Sequence, residues 1–181
     1  MLRAFQRIRS KRGNVTSMWI TGLPIFMIAF LAVGTLAVVW ISQSNSQVAA
    51  DAASLAATKK MDQLIPGEIE RRVNILLNRK PPHPNPFGAV MGNKNGIVKS
   101  VLRKHDEELV ATVKEYLEKN GAEPHGRIIF FVDGRIQVEA QTGFKPLILQ
   151  EEFKDIKVKS KGFGPTRDYG KWLKETKEIE F

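Results

Sequence analysis

Histidine is the side chain best suited to hold a metal or move a proton near neutral pH, and this chain has three: His83, His105 and His125. They fall in a loop, a helix and a turn, and none stands beside Asp or Glu at metal-ligand spacing. "HDEEL", His105 to Leu109, does gather acids. Consecutive helical positions point in different directions, so these acids form a solvated face rather than a paired-carboxylate site. The sequence contains no P-loop, GxSxG, HExxH or dinucleotide fingerprint. Cysteine is absent, which removes disulfides, thiolate nucleophiles and cysteine-ligated metals. The densest polar, glycine-bearing stretch is "KGFGPTRDYG", Lys161 to Gly170. There Lys161, Gly164, Arg167 and Asp168 offer an anion or partner site, with a structural turn as the plainer reading. No catalytic residue, metal site or cofactor is expected, and an enzyme is disfavoured.

The elements that would position such residues begin with an uneven charge distribution. Arg3, Arg7, Arg9, Lys11 and Arg12 supply five of the net nine positive charges, and no charged side chain occurs from Asn14 to Ala50. Basic residues next to an apolar run read as topology information rather than as a phosphate-binding face, so nucleic acid is not expected as a partner.

Between Met18 and Ile41 only Thr21 and Thr35 are polar. As a helix this run spans about 36 Å, enough to cross a bilayer core of about 30 Å. A secretory signal has a much shorter apolar core. Trp19 and Trp40 mark the two ends, where indoles favour the headgroup layer. The basic flank places the N-terminus in the cytoplasm and residues from about Ser42 outside. Pro24 removes one intrahelical donor and loosens the helix locally.

"SQSNSQVAADAASLAATKKM", Ser42 to Met61, is alanine-rich and lacks glycine and proline, so the helix should continue out of the membrane. Val48, Ala52, Leu55 and Ala56 form a narrow stripe that allows close helix approach. It serves either the chain's own globular domain or another subunit, and both stay open. Pro66-Gly67 is expected to break this helix, with a short amphipathic piece following from Glu68 to Asn78. Asn78 to Gly96 holds four prolines, four asparagines and three glycines, and therefore reads as a surface loop.

Helical periodicity returns in Val98, Val101, Leu102, Leu109, Val113 and Leu117, as one helix stopped near Gly121. "RIIFFVDGRIQVEAQTGF" then predicts a hairpin turned at Asp133-Gly134. Ile136, Val138 and Ala140 face inward there, and Arg135, Gln137, Glu139 and Gln141 face water. "DIKVKS" is a third strand with Ile156 and Val158 inward and lysines guarding an edge. The tail begins as a loop and ends in a short helix around Trp172 and Leu173. The fold class is α+β, a long N-terminal transmembrane and stalk helix followed by a small external domain with a helix packed on an antiparallel sheet. The divisions are 1–13, a basic cytoplasmic leader; 14–61, the transmembrane helix and stalk; 62–96, a short helix and loop; and 97–181, the external domain.

Three features resemble the tight-adherence (Tad/Flp) pilus assembly proteins of the TadE/TadG type. They are basic residues ending in Arg12-Gly13, an apolar run with Pro24 eleven residues after that glycine, and "VAADAASLAAT" from Val48 to Thr58. A weaker likeness to the TadE-like external domain lies in "IQVEAQTGFKPLI", Ile136 to Ile148. The resemblance implies a pseudopilin-like protein with a processing site at Gly13 and Asn14, cleaved by a prepilin-type peptidase. TadE-type members carry a glutamate five residues after the glycine, whereas Met18 stands here, as in TadG-like members that tend to lack it. Both a cleaved and an intact chain stay open.

The resulting expectation is a non-enzymatic, single-pass component of a Tad/Flp type IV-like pilus or related secretion apparatus. It would contact membrane lipid and other pilus or secretion subunits in an oligomer or filament, with its C-terminal domain outside the cell. Met18, Pro24, Ala49, Ala52, Ala53 and Ala56 would mediate helix packing. The alternative is a membrane-tethered binding domain whose helix is only an anchor.

Overall fold

One helix, α1, runs without interruption from Lys11 to Leu77 in the computed structural model, which describes residues 11–144, 151 and 156–181. Of the sequence features above, Arg3, Arg7 and Arg9 and the "KPLI" ending at Ile148 lie outside the described residues. Gly13 and Asn14 fall within α1. From Val15 to Phe30 every residue is exposed, and none of the most apolar 18-residue stretch is buried. Its polar groups are closed internally, as a lipid environment requires. The Thr21 hydroxyl donates to the Ser17 carbonyl at 3.0 Å and that of Thr35 to Leu31 at 2.9 Å.

The expected break at Pro66-Gly67 does not occur. Pro66 and Gly67 both lie on the solvent side of α1, while Ile65 and Glu68 flanking them are buried. Water can serve the carbonyl that proline leaves without a donor, and packing on the opposite face overrides poor propensity. The segment from Asn78 to Gly96 is not all loop either. It holds α2 (Pro86–Met91), with Pro86 at its first turn and the Asn85 side chain accepting from the Gly88 N–H at 2.8 Å. Asn93 caps α3 (Lys94–Lys104) in the same way, through Gly96 at 3.1 Å.

The single helix expected from Val98 to Leu117 is in fact two, because α3 ends at His105 and α4 (Asp106–Lys119) starts there. Arg103 and Lys104 close α3 while Asp106, Glu107 and Glu108 open α4. Each charge set suits the helix dipole end it occupies. Gly121, at φ +75°, ends α4.

The described strands form one antiparallel sheet: β1 (Glu123–Phe130), β2 (Ile136–Gly143), β3 (Lys157–Phe163) and β4 (Lys177–Glu180), in the order β3-β2-β1-β4. Asp133-Gly134 lies in the turn between β1 and β2, with Gly134 at φ +93°. Ile136, Val138 and Ala140 are buried as expected, but so is Gln137. Gln137 is opposite Ile129 and Phe163 on its neighbouring strands, and Arg135 stacks on Phe163, so long side chains shield it. β3 extends to Phe163, and its inward positions are Val158, Ser160 and Gly162, whereas Ile156 precedes the strand and is exposed. The tail forms only a 3-10 turn, Gly170–Trp172, and then continues as β4 paired with β1.

α1 lies across β2 and β3, and α4 lies beside it against β1. Ala49, Ala53, Ala57, Met61 and Ile65 of α1 meet Leu109, Val113 and Leu117 of α4 and Ile128, Ile136 and Val138 of the sheet. The helix that carries the bare apolar run is therefore also the spine of the domain core.

Candidate functional site

The residues with chemical potential are drawn into packing and ion pairs rather than into one cavity. His83 accepts from the Asn85 N–H at 3.1 Å, His105 meets Glu108 at 3.0 Å between α3 and α4, and His125 is exposed on β1. Among the described residues no group of three or more His, Cys, Asp or Glu could hold a metal.

The Lys161–Gly170 segment turns toward α1. Lys161 belongs to β3 and pairs with Glu139 at 3.3 Å. Gly162 and Gly164 lie against the helix backbone. A Cβ on Gly162 would overlap the Ala50 carbonyl and the Asp51 nitrogen, and one on Gly164 would reach the Thr58 hydroxyl and the Ser54 carbonyl. Arg167 donates through Nε and Nη2 to the Asp62 carboxylate at 2.9–3.1 Å, and the Tyr169 hydroxyl donates to the same carboxylate at 2.9 Å. Burial, then the hydrogen bond to Asp62, pushes the Tyr169 phenol well above its ordinary pKa, so it stays a donor. The Asp168 side chain is almost fully exposed and pairs with Lys171 at 3.1 Å. Lys161, Gly164, Arg167 and Asp168 thus do not converge. Three of them fasten strand and loop within the domain.

A second fastening joins α1 to α3. The Glu68 carboxylate, 5% exposed, accepts from Arg71 (2.7 and 2.8 Å), Arg72 (2.7 Å), Ser100 (3.1 Å) and Lys104 (3.2 Å). The hydrogen bond from Arg71 outweighs desolvation, and with Arg72, Lys104 and Ser100 it holds the carboxyl far below the usual range. Neither Asp62 nor Glu68 stood out in the sequence. The only signal was that each is an acid one helical turn or less from an otherwise apolar face.

Beside this network a groove of about 660 Å³ opens between α3 and β4, lined by Arg72, Lys99, Arg103, Lys177 and Ile179 among others. Its cations are mostly engaged: Arg72 with Glu68 and the Gly96 carbonyl, Lys99 and Lys177 with Glu175. That leaves little positive charge to hold an anion.

The packing residues separate by face. Ala49 and Ala53 are fully buried and Ala56 nearly so, all against the chain's own domain, while Ala52 is half-buried and Val48 and Leu55 are exposed. The stripe read from the sequence thus straddles two faces. Met18 is exposed on the bare run, and α1 continues on both sides of Pro24.

Residues 13–60 match the model of the Flp pilus-assembly TadE/G-like family. The likeness seen in the apolar run and the alanine-rich stretch is thereby shown for this segment, which begins at Gly13 and leaves the basic residues before it outside the match. The weaker likeness at Ile136 to Ile148 lies outside the match, as do α2 to α4 and the sheet. No curated protein and no solved structure matches the chain. The family comprises assembly components rather than known enzymes, and together with the one helix of membrane-crossing length among the described residues it supports a pilus-related membrane component.

Proposed function

We propose that this chain is a non-enzymatic, single-pass subunit or assembly factor of a Tad/Flp-type pilus or related secretion apparatus. Its N-terminus is cytoplasmic and its α+β domain lies outside. The observation that carries this reading is the double use of α1: bare and apolar from Val15 to Phe30, then buried along one face as the domain spine from Ser46 to Ile65. A helix used only as an anchor needs no such continuity, since a linker would tether the domain equally well. With Met18 in place of an acid, the run within the bilayer packs on its neighbours through apolar contact. Pro24 supplies a local irregularity in that packing.

The test is an exchange of Val15 to Val39 for an unrelated apolar helix of equal length. Pilus assembly is expected to fail while membrane insertion and the folded domain persist. Unimpaired assembly would refute the proposal in favour of a tethered binding domain. A reporter fused after Phe181 reads orientation, and cytoplasmic activity there would reverse the proposed topology.

A further inference from the structure

The face of α1 opposite its domain contact carries a seven-residue pattern. Val38, Asn45 and Ala52 occupy one position of the repeat, and Ile41, Val48 and Leu55 the position three residues on. This is the a and d spacing of a two-stranded coiled coil, sustained for about two and a half heptads, too short for the drift between 3.5 and 3.6 residues per turn to matter. Ile41, Val48 and Leu55 are 57%, 55% and 43% exposed and Asn45 is exposed, Val38 and Ala52 are half-buried at the edge of the free face, and the positions facing the domain, Ser46, Ala50, Ala53 and Ala57, are fully buried. The run from Val38 to Leu55 holds one charge, Asp51, at its flank, and the first charge at a seam position is Lys59.

We propose that this face pairs with the same face of a second copy, forming a parallel two-helix seam where α1 leaves the bilayer. The inference rests on the topology proposed above, one crossing with the domain outside. That topology presents every copy in the same direction at the same depth, so residue 48 of one copy meets residue 48 of the other. The self-complementary chemistry favours a second copy over an unrelated protein. Three large apolar side chains per copy stack on their equivalents, and Asn45 at a seam position can bond its twin. A lone asparagine at that position is known to fix parallel register and two-strandedness at a cost in stability. The area is small for a dimer in water. Confinement to the membrane raises the effective concentration and makes so modest a seam sufficient.

Because the chain has no cysteine, single cysteines report proximity without background. Asn45→Cys, Val48→Cys, Ala52→Cys and Leu55→Cys, each in the full-length protein in native membranes, are oxidised and compared with Trp40→Cys and Ser44→Cys, exposed positions off the seam. Same-residue dimers are expected at the seam positions at about fivefold or more the yield at the controls. Adding Leu55→Asp to Val48→Cys should abolish the dimer while the domain keeps its protease resistance, since Leu55 is not part of the core. Equal yields at all positions, no dimer at the seam, or adducts only to a different protein would each overturn the proposal. The helix exchange described above replaces only Val38 of the seam and otherwise reads a different property. Intact pilus assembly with persistent seam dimers removes the pilus role and leaves the pairing, and failed assembly without seam dimers does the reverse.

Discussion

Gly162→Ala tests most directly how α1 is held to the sheet. Three backbone atoms of Ala50 and Asp51 lie well inside 3.0 Å of where the new Cβ would be, and backbone cannot turn aside as a side-chain tip can. β3 must therefore retreat from α1 by about 1 Å, and overpacking of this kind costs about 3 kcal/mol at the upper end of its range. The retreat also stretches the bonds from Gln43 to Ser160 (2.9 Å) and from Gln47 to the Lys161 carbonyl (3.0 Å), each contributing about 1 kcal/mol at most. Alanine's lower unfolded-state entropy returns only about 0.5–1 kcal/mol. A net loss of about 3–4 kcal/mol is expected, measured by urea titration of the detergent-solubilised protein followed by near-ultraviolet circular dichroism. Gly67→Ala, in α1 with nothing within 4 Å, should instead gain about 0.5–1 kcal/mol. Adding Ala50→Gly should not rescue Gly162→Ala, because the overlap is with main chain. A loss below about 1 kcal/mol, or rescue by that second change, would refute the close-approach account.

Glu68→Gln should cost about 2 kcal/mol at neutral pH, less than a fully buried pair because Arg71 and Lys104 are about half exposed and can rehydrate. The folded carboxyl titrates below its unfolded value, so its contribution is complete above about pH 4.5 and declines as pH falls. Wild-type and variant urea midpoints should accordingly converge toward pH 2, and a constant gap would contradict this. Asp62→Asn should cost about 1.5 kcal/mol and Tyr169→Phe about 1 kcal/mol in the same titration. Their double variant should lose less than the sum, because both act on one carboxylate.

The sequence made the membrane-length helix, the hairpin and the inward set Ile136, Val138 and Ala140 legible, because each rests on a local period. It misled wherever tertiary packing outweighed local propensity. Pro66-Gly67 reads as a stop, yet both residues face water while their neighbours are held in the core. The asparagines of Asn78 to Gly96 looked like loop composition, but Asn85 and Asn93 are helix caps, each three residues ahead of the N–H it accepts. The step from Arg103-Lys104 to Asp106-Glu107-Glu108 was a readable boundary between two helix dipoles, hidden by apolar periodicity that runs through it. β4 has Ile179 as its single apolar residue, too little to announce a strand without knowledge of its partner β1. Gly162 and Gly164 read as loop glycines because the helix backbone they accommodate is about a hundred residues earlier in the chain.

With Met18 to Ile41 set across a bilayer, the unbroken α1 runs on for about 54 Å to Leu77, so leaning the rod by about 10° sweeps its far end sideways by about 9 Å. The head is clamped to that rod from Ser46 to Ile65 and must travel with it. Membranes of different thickness impose different inclinations on a span of fixed length. The helix and its head thus form a lever, in which a small change of inclination in a bilayer becomes a large displacement of the head.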